Sequence, residues 1–297
     1  MPEGVGSEAM RDALIETASA KVNLTLRVLG RRPDGDHELE SLVAFADIGD
    51  TVAFEAGAPM SVLVRGPFAD AIAGPNIASR ALELVRDAAP DLIVGAVTIT
   101  KQLPVAAGVG GGSADAAAVL RAVRRANPAL ATSIDWYAIA AALGADVPVC
   151  LNSAAQFMWG TGRQTRAVSG LPRLSVILAN PGVPLSTGTV FRALAAPPAA
   201  PAIEDPAAPG PFADGAALMA FMLACGNDLE PPAIAQCPEV GDVLETLRAA
   251  PGARLARMSG SGPTCFAVFD NAETVRAAAQ SIQRARPQWW VAPAILG

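Results

Sequence analysis

The sequence predicts an α+β protein of two lobes, and three observations predict it. Strand-like alternation and helix-like periodicity are mixed along the chain rather than strictly alternating, which argues against a doubly wound parallel sheet. At 297 residues the chain is long enough for two lobes. An Ala/Pro-rich stretch at 195–217, with Pro197, Pro198, Pro201, Pro206, Pro209 and Pro211, interrupts the second half as a loop or linker. The expected division is 1–165 and 166–297.

Residues 17–29, TASAKVNLTLRVL, place Val22, Leu24, Leu26 and Val28 on one face and Lys21, Asn23, Thr25 and Arg27 on the other. That pattern predicts a half-buried strand. GRRPDGDH (30–37) is rich in turn formers, and 41–55 and 60–65 read as further strands. Asn76 is placed to cap a helix that turns Ile77, Ala81, Leu84, Val85 and Ala88 to one side. VTITKQLP (97–104) predicts a strand ending at Pro104, and a helix is expected from Ala114 with Arg121, Arg124 and Arg125 outward. Ser133 and Gly144 read as the start and stop of the next helix, and GADVPVCL as a run into a strand. A hairpin at 156–160 and 164–168, strands at 173–180, 254–258, 264–269 and 289–295, and helices at 214–224, 239–250 and 271–285 complete the expectation.

Composition excludes several functions. A hydrophobic fraction of 52% and a mean hydropathy of +0.35 provide a large core and exclude a disordered chain. A net charge of −6 and a pI near 4.9 argue against nucleic acid as partner. No apolar run reaches the ~18 residues of a membrane span. The N-terminal MPEGVGSEAMRDALIETA lacks the apolar segment of a signal peptide, so a short disordered lead-in and a cytoplasmic location are expected. Cys150, Cys225, Cys237 and Cys265 show no CxxC spacing and read as reduced core residues. The single histidine, His37, excludes a His-rich zinc site.

The chemistry concentrates in PVAAGVGGGSADAAA (104–118), where glycines directly precede a helix. A Walker A loop needs lysine where Ser113 stands. A dinucleotide fingerprint starting at Gly108 meets Ser113 at its third glycine, and 126–135 offers no strand to present Asp135 to a ribose. What remains is a loop that wraps a nucleoside triphosphate at a helix N-terminus, or a plain flexible turn. Ser113 adds a hydroxyl within reach of phosphate or magnesium.

Three separated segments decide between these. AKVNLTLRVLGRRPDGDHEL, PVAAGVGGGSADAA and MSGSGPTCFAVF (258–269) together resemble the motifs of the GHMP small-molecule kinases. LGADVPVCL (143–151), NPGVPLSTGTVF (180–191) and NDLE (227–230) extend the match to the branch that phosphorylates the 2-hydroxyl of 4-CDP-2-C-methyl-D-erythritol, in the non-mevalonate route to isoprenoid precursors. The resemblance implies ATP and Mg2+, a small-molecule acceptor, a monomer or homodimer, and an active site in the cleft between two α+β lobes. It implies Asp146 as general base and Lys21 as its electrostatic partner. The ATP loop would comprise Pro104, Val105, Ala106, Ala107, Gly108, Val109, Gly110, Gly111, Gly112, Ser113 and Ala114. Asn23, His37, Thr187 and Phe191 would contact the acceptor. Asp36 departs from this pattern, since the family branch carries there a tyrosine that stacks on cytosine. A sister kinase for homoserine, mevalonate or a sugar is the alternative, and a non-catalytic nucleotide-binding protein the next. The cytidine-side matches weigh against the former, and retention of both Lys21 and Asp146 against the latter.

Overall fold

The structure, a computed structural model, describes residues 13–72, 76–200 and 206–297. The lead-in expected at the N-terminus lies, up to residue 12, outside the described residues, as do 201–205 of the Ala/Pro stretch. In chain order the elements are β1 (Leu14–Asn23), β2 (Arg27–Arg31), β3 (His37–Ala56), β4 (Ser61–Arg65), α1 (Ile77–Ala88), β5 (Gly95–Thr100), α2 (Gly111–Ala126), α3 (Trp136–Leu143) and α4 (Val147–Cys150). There follow β6 (Gln156–Gly160), β7 (Gln164–Ala167), β8 (Leu174–Asn180), α5 (Thr187–Leu194), α6 (Gly215–Cys225), α7 (Glu230–Gln236), α8 (Pro238–Ala249), β9 (Ala253–Met258), β10 (Cys265–Phe269), α9 (Ala272–Ala285) and β11 (Trp290–Leu296).

Contacts gather these elements into two compact units that interleave along the chain. One holds residues up to 18, 49–105 and 112–151; the other holds 19–48, 106–111 and 152–297. This grouping by contact differs from the grouping by motif at 165, because β1 and β3 each run from one unit into the other.

In the first unit, β5 pairs antiparallel with the end of β3 (Thr51 opposite Thr100) and parallel with β4. The expected Asn76 cap is present, its side chain accepting from Ala78 N–H at 2.8 Å. Helix α1 buries Ala78, Ala81, Leu82 and Val85, so the apolar stripe is centred a residue away from the expected Leu84. Helix α2 buries Ala114, Ala116, Ala117, Ala118, Val119 and Leu120, and its run of alanines allows close packing on several sides.

In the second unit, the start of β3 lies between β2 (Arg31 opposite His37) and β6 (Leu39 opposite Gly160), and β6 and β7 form the expected hairpin. Strands β11, β8, β10 and β9 pair in that order, all antiparallel. Their core includes Ile177, Val243, Leu244, Leu247, Ala267 and Ile282, from both strands and helices. Leu296 of β11 pairs with Ala46 of β3, and Gly297 N–H donates to Phe45 carbonyl at 3.1 Å.

Four expectations are corrected, and one element, α7, was not foreseen. The strand expected over 17–29 breaks at 24–26, and its polar face is covered too: Lys21, Asn23 and Thr25 are buried. The break follows from Leu24 and Thr25 N–H both turning to the Leu42 carbonyl, after which Leu26 N–H bonds Gly226 instead. The glycine-loop helix starts at Gly111 rather than Ala114. Asp135, not Ser133, caps α3, accepting from Ala138 N–H at 2.9 Å. VPVC is a one-turn helix, not a strand, since Pro148 fits a first helical turn and all four residues are buried. Within NDLEPPAIAQ, Pro231 and Pro232 open α7 rather than break a helix, for the same reason. Cys150, Cys237 and Cys265 are buried and Cys225 is half-buried, and none of the four forms a disulfide, in keeping with reduced core residues. No helix among the described residues is long and apolar enough to cross a membrane.

Candidate active site

The glycine loop is seated on the turn between β9 and β10. Thr264 N–H donates to Ala107 carbonyl at 3.1 Å, and Ser259 Oγ–H donates to Gly108 carbonyl at 3.2 Å. Gly108 has φ +74°, and a Cβ there would stand 2.5 Å from Gly262 carbonyl oxygen and 3.0 Å from that of Ser259. Only glycine brings the two backbones this close. Val105 is half-buried, Pro104 and Val109 are buried, and Ala106 is exposed at φ +54°.

Lys21 comes to the same loop from the end of β1. Its N–H donates to Val109 carbonyl at 2.9 Å, and its stem lies along Gly110, where an added Cβ would stand 3.3 Å from both Lys21 Cβ and Cε. Gly110, at φ +64°, thus admits the turn and leaves room for the lysine. Two residues on, Asn23 N–H donates to Ser259 Oγ at 3.1 Å and Asn23 Nδ2 to Ser41 Oγ at 2.7 Å. Ser259 therefore joins the first motif to the loop. Its own N–H donates to Thr264 carbonyl at 2.9 Å, closing the turn it sits on.

Sequence reasoning passed over the residues that brace this turn. Asn227 Nδ2 donates to the carbonyls of Met258 (2.8 Å) and Gly260 (2.9 Å), and Asn180 Nδ2 to Thr264 Oγ1 (2.9 Å). Both asparagines stand in segments quoted for the family resemblance, NDLE and NPGVPLSTGTVF, and their burial is the signal that was missing.

The acceptor-side residues gather in the same unit. Thr187 opens α5 and its hydroxyl lies 2.8 Å from Ser261 Oγ. One turn later Phe191 meets the His37 ring, with centroids 4.8 Å apart and planes tilted by 38°. Burial, then the Arg31 charge, hold the His37 pKa below its usual value, with Asp36 opposing. The imidazole is therefore neutral at pH 7 and offers one donor and one acceptor. Arg32 braces the loop before it through an ion pair with buried Glu38 at 2.9 Å.

From Gly112 to Asp146 the predicted set belongs to the first unit. Gly111, Gly112 and Ser113 form the first turn of α2, whose amides have no partner within the helix. Gly108 and Gly110, both at positive φ, directly precede this turn in the chain. Ala114 is buried beneath it. Asp146 sits at the N-cap position of α4 but makes no capping bond with its side chain, so its carboxylate is not spent on that helix. Within the first unit, Lys101 Nζ bonds Asp115 Oδ2 at 2.7 Å and also Asp50 Oδ2. Asp50 Oδ1 further accepts from Leu103 N–H at 2.8 Å and from Gln102 N–H. Buried Asp115 Oδ1 has no hydrogen-bond partner among the described residues, and burial raises the Asp115 pKa to about 7 against the pull of Lys101. No cluster of three or more His, Cys, Asp or Glu suited to a metal occurs among the described residues.

Comparison with known proteins fits this arrangement. Residues 76–154 match the GHMP kinases N-terminal domain and 202–288 the GHMP kinases C-terminal domain. A 4-diphosphocytidyl-2-C-methyl-D-erythritol kinase of Parvibaculum lavamentivorans is 46% identical over 95% of this chain and 98% of its own length. The enzyme of that name from Rhodopseudomonas palustris is 48% identical over 94% of this chain and 95% of its own. A crystal structure of 4-(cytidine 5'-diphospho)-2C-methyl-D-erythritol kinase superposes with a TM-score of 0.75 at 33% identity, covering 96% of this chain and 99% of that one. A homoserine kinase from Cytophaga hutchinsonii superposes at 0.63 and 16% identity, covering 99% and 97%, and shares the fold.

Proposed function

The chain belongs to the GHMP kinases, and on that premise we propose that it transfers the γ-phosphoryl group of ATP to the 2-hydroxyl of 4-diphosphocytidyl-2-C-methyl-D-erythritol. The observation that carries this reading is the convergence of two motifs on the loop: Lys21 N–H bonds Val109 while Ser259 bonds both Asn23 and Gly108. Three segments far apart in sequence thereby meet at the glycine loop.

Phosphoryl transfer asks a protein mainly for positioning and charge. In this reading the amides of 108–113 hold the ATP phosphates, and the Lys21 ammonium offsets negative charge as it develops on the transferred group. Asp146 accepts the proton leaving the acceptor hydroxyl. Mg2+, when bound, would offset phosphate charge, and the Ser113 hydroxyl is the side chain that would help to hold it. At the other end of the acceptor, neutral His37 matches the donor and acceptor on the edge of cytosine, Phe191 offers a ring face, and Asn23 and Thr187 contact the sugar alcohol and phosphates. Asp36 gives no stacking face, so grip on the base rests on the His37–Phe191 pair. The division of labour follows the motifs, with 1–165 holding ATP and the catalytic pair and 166–297 completing the acceptor site. The expected setting is cytoplasmic.

The test is turnover by the purified protein with ATP, Mg2+ and the cytidine acceptor, read by ADP release and product mass, beside homoserine and mevalonate. Phosphorylation of the cytidine acceptor alone, lost in Asp146→Asn, is the expected result. Turnover of another alcohol in its place would move the chain to a sister activity, and no turnover of any would oppose the reading.

A further inference from the structure

The Ala/Pro stretch after α5 has no place in the reaction just described, and its composition suggests none. It is nevertheless fastened at both ends. Directly after Phe191 and Leu194, Ala195 takes φ +49° and reverses the chain. The segment then runs beside β2: Arg31 N–H donates to Pro197 carbonyl at 2.7 Å, and Ala199 N–H donates to Arg31 carbonyl at 2.8 Å. Arg31 is the residue that faces His37 across β2 and β3, so its backbone is held by His37's strand on one side and by 197–199 on the other. The fit is close. Gly30, next to a register shift in β2, has φ +152°, and a Cβ there would overlap the Ala199 backbone, standing 2.7 Å from Ala199 N. At its far end the stretch is tied to β7, where Arg166 donates to Pro206 carbonyl at 2.8 Å. The two anchors thus lie on either side of the strand that begins with His37.

We infer that residues 195–200 form a specificity-determining strap: by pairing with β2 next to His37, they fix the separation of His37 and Phe191 and so set the grip on the nucleobase. Only three residues separate Phe191 from Ala195, where the chain turns back. Through Arg31, the strap thus ties the backbone just after Phe191 to the strand paired with His37, and so bears directly on the 4.8 Å contact between the two rings. The inference rests on the kinase reading above, and only the cytidine end of the acceptor is concerned.

Ala199→Pro removes the N–H that bonds Arg31, while Ala199→Ser keeps it. Gly30→Val displaces the same contact from the opposite side, so the test does not hang on one variant's folding, which melting curves check. The KM for the cytidine acceptor is expected to rise about 3- to 10-fold in Ala199→Pro, the loss of one hydrogen bond's worth of positioning, with Ala199→Ser unchanged. The kcat and the KM for ATP should stay within about twofold of wild type. CDP titrated calorimetrically in saturating ADP should bind more weakly to Ala199→Pro and Gly30→Val by the same factor. An unchanged acceptor KM in both variants, or an equal rise for ATP and acceptor, would overturn the strap while leaving the kinase reading in place. A wild-type protein that neither turns over the acceptor nor binds CDP would overturn both.

Discussion

The glycine loop has two neighbourhoods made of opposite materials. Towards the β9–β10 turn, every contact is neutral: carbonyls of Ala107 and Gly108, hydroxyls of Ser259 and Thr264, amides of Asn180 and Asn227. Next to the residues that enter and leave the loop, the contacts are ionic: Lys101 just before it and Asp115 just after it, with Asp50 bonded to both Lys101 and the chain at 102–103. The neutral seat depends on glycine, since shape brings its partners together. The ionic cluster depends on charge balance, since all three groups are buried. Single changes should therefore fail differently, one through geometry and the other through an uncompensated charge.

The largest effect tests the ionic side. Lys101→Met leaves two buried carboxylates without a cation and should cost about 3–5 kcal/mol in urea unfolding. The triple variant Asp50→Asn/Lys101→Met/Asp115→Asn should recover much of that loss; if it is no better than Lys101→Met, charge balance is not what the cluster maintains. Next comes pH. The Asp115 pKa lies near 7 in the folded protein against an ordinary 3.8, so between those values the folded state keeps a proton that the unfolded state has lost. Stability from this group is complete below pH ~4 and falls as pH rises towards ~7. Asp115→Asn should remove that slope, and parallel curves for the two proteins would refute the assignment. On the neutral side, Gly108→Val meets both a positive φ and the carbonyls of Gly262 and Ser259. It should cost about 1–3 kcal/mol of strain and raise the KM for ATP, with no new pH dependence. The smallest change, Ser259→Ala, removes one donor and one acceptor and should cost about 1–2 kcal/mol in the same unfolding assay.

How much of this the sequence disclosed follows the same split. The neutral seat was legible in part: the glycines of GVGGGS stand out ahead of a helix, whereas MSGSGP was marked only by the family resemblance. Lys21 and Asn23 were legible as one face of a strand, but alternation predicted that face to be exposed, and only the packed loop buries it. The ionic cluster was not legible, because Asp50, Lys101 and Asp115 stand apart in sequence and each reads alone as a surface charge. Short elements rich in proline, α4 and α7, were misread or missed because proline marks both helix starts and helix breaks. Asn227 and Asn180 were missed as braces because an asparagine's two donors say nothing until the carbonyls they reach are in place.

The pairing of β11 with β3 and β8 has a consequence during synthesis. Between Ala56, where β3 ends, and Trp290, where β11 begins, the ribosome adds about 230 residues, which at cellular rates takes roughly ten seconds or more. Throughout that interval the edge of β3 at Ala46, joined after residue 180 by an edge of β8, waits open for a strand not yet made. The nascent chain thus carries an adhesive border until its last segment emerges. Chains stalled or cleaved before residue 290 should be the ones that associate with each other or with chaperones.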